Sequence, residues 1–129
     1  MSDLNFPPHR RIKSGEDFQA AYANGAKVSQ DGILVIGRLN GTNETRLGLS
    51  VSRKQGPAVQ RNRIKRLMRE AFRLSYSHLP VGFDLVVIPQ KEYVCELENF
   101  RRLLVALGRR VEKKAQRNKP SDGPSSEPA

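Results

Sequence analysis

The 129-residue sequence has no tryptophan, one cysteine at Cys95 and only 6% aromatic residues. A single cysteine excludes an internal disulfide and a multi-cysteine zinc site, leaving Cys95 as a small packing residue. The strand-like apolar runs Ile33–Ile36 and Leu85–Ile88 are four residues each, and no run approaches the roughly 20 residues of a membrane-spanning helix. Met1–His9 carries Pro7-Pro8 and no apolar segment, so no secretory signal is expected and the expected location is cytoplasmic. Acidic residues are scarce as well: 13 Asp and Glu stand against 23 Lys and Arg, a formal net charge of +10. Such an excess on one small domain points to a polyanionic partner, nucleic acid first and an anionic membrane surface second.

Catalytic constellations are also missing. His9 and His78 have no Cys or carboxylate at ligand spacing. Ser50 and Ser52 have neither a nucleophile elbow nor a histidine partner. The glycines form no phosphate loop, and the carboxylates do not cluster as two-metal phosphodiester hydrolysis requires. No catalytic residue, no metal ligand and no small-molecule substrate is expected for this chain.

Composition divides the chain into an extended lead-in over 1–9, one domain over 10–115 and a disordered tail over 116–129, the last with three prolines, three serines and no large apolar side chain. Within the domain, Ser14-Gly15-Glu16-Asp17 predicts an N-capped helix that Asn24-Gly25 closes through a left-handed residue. Residues 28–39 are rich in strand formers, and Asn40–Glu44 predicts a hairpin connection. From Arg46 the pattern alternates, with Leu47, Leu49 and Val51 on one side and Gly48, Ser50 and Ser52 on the other. Ile64, Leu67, Met68, Ala71 and Phe72 form the stripe of an amphipathic helix from about Ala58 to Ser77. Phe83–Pro89 reads as a buried strand, and Leu97, Phe100, Leu103, Leu104, Leu107 and Val111 give a last helix. The expected class is α+β, a two-layer α/β sandwich with α-β-β-(β)-α-β-α order.

Charge concentrates on the amphipathic helix. Residues 53–73 hold eight cations (Arg53, Lys54, Arg61, Arg63, Lys65, Arg66, Arg69 and Arg73) against Glu70 alone, a net of +7. At about 100° per residue, Asn62, Arg66, Arg69 and Arg73 share the face opposite the stripe, while Arg61, Arg63 and Lys65 flank it. A solvated helix face mixes Glu with Lys or Arg in i,i+4 pairs. Here only Glu70 can pair, with Arg66 or Arg73. Guanidinium groups fit paired phosphate oxygens, so this face reads as a phosphate-binding surface. Phe18 and Tyr22, four apart, share a helix face beside Ala21, with Phe6 a further candidate. They are either core or, exposed beside cations, a stacking platform for single-stranded bases.

The stretch Arg61-Asn62-Arg63-Ile64-Lys65-Arg66-Leu67-Met68-Arg69-Glu70-Ala71-Phe72-Arg73 resembles the Arg-Asn-Arg signature of the protein subunit of bacterial ribonuclease P. Arg46-Leu47-Gly48-Leu49-Ser50-Val51-Ser52-Arg53-Lys54 is similar to the strand before that helix, and Arg11-Ile12-Lys13 with Glu16-Asp17-Phe18 to the opening helix. The likeness spans about residues 10–115. It implies a mixed sheet with a left-handed β-α-β crossover around the basic helix. It implies a protein that assists a catalytic RNA subunit, which holds Mg²⁺ and removes the 5′ leader of precursor tRNA to leave a mature 5′-phosphate end. By the same resemblance Arg53, Lys54, Arg61, Asn62, Arg63, Lys65, Arg66, Arg69 and Arg73 contact the RNA subunit. Phe18, Tyr22, Gly48, Ser50 and Ser52 receive the leader, with Lys54 nearby, although Ile33–Ile36 lacks the aromatic that some relatives carry. Rival readings are a structural RNA-binding protein with the same patch, a stand-alone nuclease using Glu70, Asp84 or His78, and a membrane-surface protein. The last needs an exposed bulky apolar face, whereas Phe72 and its stripe are required by the core.

Overall fold

The computed structural model describes residues 8–12, 14–90 and 96–117. Seven elements follow one another: α1 (Gly15–Asn24), β1 (Ala26–Gln30), β2 (Ile33–Leu39), β3 (Arg46–Leu49), α2 (Ala58–Ser75), β4 (Phe83–Pro89) and α3 (Leu97–Arg117). The four strands form one mixed sheet in the order β1-β2-β4-β3, antiparallel except for the β3/β4 pair. The β3-α2-β4 segment is thus the parallel β-α-β unit that carries the basic helix. Helix α3 continues through Arg117, past the expected start of the tail. Cys95, Phe6 and the remaining tail lie outside the described residues.

Alternation along the strands divides the sheet into two faces. Val28, Ile33, Val35, Leu47, Leu85 and Val87 pack with Ile64, Met68, Phe72, Phe100, Leu104, Leu107 and Val111, so α2 and α3 form a layer on one face. The reverse face carries a smaller cluster in which Ile36 and Val86 meet Ile12 and Ala21, with Phe18 and Tyr22 partly buried against them. Helix α1 lies there. Its Ser14 hydroxyl accepts from the Asp17 amide at 3.0 Å, and Glu16 and Asp17 occupy the first turn, as the sequence predicts.

One expectation left open is settled and two change. The optional further strand of the expected order is present within the strand-rich segment 28–39, where Asp31 and Gly32 both take positive φ (52° and 85°) and make a two-residue hairpin turn. Asn40–Glu44 is therefore no hairpin. Asn40 accepts from the Thr42 amide (2.9 Å) and donates to Asp84 (2.9 Å), holding a loop that carries the chain past β4, so that β3 pairs with β4 and not with β2. Gly25 ends α1 in an extended conformation (φ −77°, ψ 156°), not a left-handed one. Its requirement is space: a Cβ there would lie 2.5 Å from the Ala21 carbonyl oxygen and 2.6 Å from Ile36.

Candidate nucleic-acid interface

Helix α2 begins without the usual devices. Pro57 at its N-cap offers no side-chain hydrogen bond, and the first turn contains no acid. Arg61 and Arg63 follow at once, and the Arg61 guanidinium folds back to donate to the Gly56 carbonyl at 3.1 Å. Cations near a helix N-terminus add to the positive end of its dipole, unfavourable for the free protein and favourable for an incoming anion. Arg53 and Lys54 extend the same surface from the short turn Arg53–Gln55, where the Ser52 hydroxyl accepts from the Lys54 amide at 3.3 Å.

Arg53, Lys54, Asn62, Arg63 and Arg66 are exposed, and Arg61, Lys65, Arg69 and Arg73 half-buried. Among the described residues, Arg53, Lys54, Arg61, Arg63, Lys65, Arg66 and Arg69 form no ion pair. Arg73 is the exception: it grips Glu70 bidentately at 3.2 and 2.5 Å, so of the two pairings open to Glu70 in the sequence the one with Arg73 forms. That hydrogen bond holds the Glu70 carboxyl below, and the Arg73 guanidinium above, its ordinary pKa. Arg69 goes the other way, pushed below the usual arginine value by burial and then by the charge of Arg11.

Lys65 and Arg69 lean over the β3 edge and form one wall of a cleft of about 440 Å³. Leu47, Gly48 and Leu49 make the floor, and Arg11, Ile12 and Phe18 the opposite wall. Gly48 is needed at that floor, since a Cβ would meet the Phe18 ring at 2.8 Å. The Ile12 amide donates to the Leu47 carbonyl at 3.0 Å, so the segment before α1 closes over the outer edge of β3. The cleft thus combines an aromatic ring, a backbone without side chain and three cations. It can take a flat base against Phe18 with phosphates towards Lys65, Arg69 and Arg11.

The structure unites Phe18, Gly48, Lys65 and Arg69 in this cleft. Tyr22 does not line it; its ring sits 6.5 Å from Phe18 and packs on the reverse face of the sheet. Ser50 continues the ladder through its amide to the Val87 carbonyl (3.0 Å), and Ser52 caps the turn beyond. Neither serine lines the cleft either.

A buried ion-pair row fixes α1 above this face. Arg38, Asp84 and Arg46 are cross-strand neighbours on β2, β4 and β3. Arg46 donates twice to the fully buried Asp84 carboxylate (2.7 and 2.6 Å), and both arginines reach Asp17 of α1 at 3.3 Å. The Asp84 bond raises the Arg46 pKa. With its carboxylate so engaged, Asp84 is a structural counterion, and the single-residue case for it as a nuclease ligand loses its free oxygen. Among the described residues no three His, Cys, Asp or Glu side chains group to hold a metal, and no helix is long and apolar enough to cross a membrane.

The sequence model of the family described as Ribonuclease P matches residues 6–115. The chain belongs to the ribonuclease P protein family. It is 37% identical over 129 residues to the ribonuclease P protein component of Chromohalobacter salexigens, covering 97% of this chain and 99% of the relative. It is 36% identical over 113 residues to that of Thermotoga maritima, covering 84% and 97%. Among solved structures, the RNase P protein from Thermotoga maritima superposes with a TM-score of 0.72 at 35% identity, covering 78% of this chain and 96% of that one. The Staphylococcus aureus RNase P protein gives 0.61, again at 35% identity, with 83% and 95% covered. Ribonuclease P is an endoribonuclease of tRNA processing, and this family supplies its protein subunit.

Sequence reasoning missed Arg11 and Ile12 as a cleft wall, because the pairing of residues 11–12 with β3 is non-local. It also missed the Asp17–Arg38–Asp84–Arg46 row. Two cations at positions 38 and 46 and an acid at 84 stand far apart in the sequence, and only the strand order β2-β4-β3 sets the acid between them.

Proposed function

We propose that this chain binds the catalytic RNA of ribonuclease P and the 5′ leader of precursor tRNA, and so promotes removal of the leader to leave a mature 5′-phosphate end. The observation that carries the reading is the cleft itself, in which Phe18 and Arg11 face Lys65 and Arg69 across the bare Gly48 backbone. A single strand entering there stacks a base on Phe18 while its phosphates meet the cations. Tyr22 supports the Phe18 wall, and Ser50, Ser52 and Lys54 extend the path towards the start of α2. The RNA subunit meets the outer surface of Arg53, Arg61, Asn62, Arg63 and Arg66 with Lys54, Lys65, Arg69 and Arg73 along its border. Arg73 keeps its place there while paired with Glu70, since three of its five N–H donors are not used in a bidentate bond.

Mg²⁺ belongs to the RNA subunit in this reading, where it supplies metal-assisted attack of water on the phosphodiester. The chain's own carboxylates near the interface, Glu70 and Asp84, are held by arginines, which suits a subunit that offers cations and not metal ligands. Cations beside RNA lower phosphate repulsion, and so lower the Mg²⁺ needed for assembly. A cytoplasmic site of action goes with these partners.

The test is precursor-tRNA cleavage at low Mg²⁺ by the protein, by a bacterial ribonuclease P RNA, and by both together. Cleavage at the mature 5′ end only in the mixture is the expected outcome. A mixture no better than RNA alone, with tight RNA binding, would leave a structural RNA-binding role; cleavage by protein alone would make it a nuclease.

A further inference from the structure

The α2 surface and its cleft do not use all of the charge. Residues 109–117 hold five cations and one acid, a net of +4 in nine residues, at the end of α3. That end packs over β1, the edge of the sheet opposite β3. Three inter-strand spacings of about 4.8 Å separate the two edges, roughly 14 Å. Lys27, Arg110, Lys113 and Lys114 surround a shallow hollow of about 280 Å³ there, floored by Val28, and Arg109, one turn before Lys113 on α3, is exposed.

A structural duty accounts for only part of this group. The hairpin register leaves the Lys27 and Ser29 carbonyls pointing off the sheet edge. Lys114 donates to the first at 2.8 Å and Arg110 to the second at 3.0 Å, covering backbone that would otherwise accept another strand. Carbonyl bonds leave both charges intact. Arg109, Lys113 and the Lys27 ammonium have no such duty, and among the described residues none of the five forms an ion pair. Glu112, the acid of this segment, lies about 160° round the helix from Arg110.

We infer that this edge is a second RNA-binding surface, which grips the phosphate backbone of a helical RNA segment. The choice of helical over single-stranded RNA follows from what lines the hollow: four cations and a valine, with no ring on which a base could stack. Unpaired strands are held by stacking as well as charge, whereas helical RNA is held through phosphates and shape. The cleft beside Phe18 and this edge therefore divide the two forms of RNA between them. The inference rests on the ribonucleoprotein reading above and extends it to a surface that reading does not use.

The double substitution Arg109→Gln with Lys113→Gln tests it, because both side chains are exposed and neither holds β1. The full chain is titrated against a bacterial ribonuclease P RNA and against an unstructured single-stranded oligonucleotide over a range of salt. The expected result is a log–log salt slope for the structured RNA smaller by about 1.4 to 1.8, two phosphate contacts, with single-strand binding changed less than twofold. Lys27→Gln, on a different element, should lower the slope by about half as much. Unchanged slopes for both variants overturn the second surface, and equal losses on both RNAs overturn its assignment to helical RNA. Wild-type protein that binds the ribonuclease P RNA no better than an unrelated RNA removes the ribonucleoprotein reading itself, and this surface with it.

Discussion

Arg69 and Phe18 stand on opposite walls of one cleft, and their chemistry predicts opposite signatures. Arg69 is partly desolvated and stands near Arg11, and burial and then that charge both lower its pKa. A phosphate that enters the cleft relieves both, so Arg69→Ala should weaken binding of the RNA subunit. The salt slope should fall by about 0.7 to 0.9, read from binding at several salt concentrations, and an unchanged slope would show that Arg69 meets no phosphate. Phe18 contributes a ring and no charge. Phe18→Ala should cost about one base stack, 1–3 kcal/mol, or roughly 5- to 150-fold in affinity for precursor tRNA. Mature tRNA, which has no leader, should bind nearly as before; equal losses on the two RNAs would exclude a leader contact. Phe18 is also partly buried against the reverse-face cluster, so the core reading of that residue in the sequence holds in part, and the exposed remainder is what a base would use.

At the scale of elements, the position of α1 depends on the ion-pair row beneath it. Asp84→Asn keeps the size of the side chain but leaves Arg46 and Arg38 without a buried counterion, and breaking a buried pair costs about 3–5 kcal/mol. Urea unfolding should show that loss, with α1 the first element to lose protection from hydrogen exchange. Helix α2 has its own titration. Because Arg73 lowers the Glu70 pKa below its usual 4.5, the pair stabilises the helix fully above that value, and the contribution disappears as pH falls through the lowered pKa. The difference in urea midpoint between wild type and Glu70→Gln should therefore be constant near neutral pH and shrink below about pH 4.5; a difference that persists in acid would mean the carboxylate is not what stabilises. Elements with strong local signals were legible in the sequence: α2 from its stripe of Ile64, Met68 and Phe72, α1 from Ser14, β4 from its buried run. The position of the β1/β2 turn was not, because Asp31-Gly32 lies inside a strand-rich run in which a further strand was only left open, while the Asn40–Glu44 segment carries more turn residues. Likewise the basic face of α2 was visible as a count of charges. Which of its members turn towards Phe18 was not, since that depends on β3 lying at the sheet edge under α2.

For the molecule as a whole, strand order has a consequence for synthesis. The central strand β4 is the last of the four to be made, yet it lies between β2 and β3 and supplies hydrogen bonds to both. Until Phe83–Pro89 leaves the ribosome, β3 has no partner strand, and the apolar stripe of α2 has no complete face to cover. A chain that ends after α2 therefore possesses every cation from Arg53 to Arg73 but only the β1/β2 hairpin of its sheet. Non-local pairing of this kind is slow to form. During that interval the nascent chain carries its full set of α2 cations without the sheet that will order them, within a particle that is itself built of RNA.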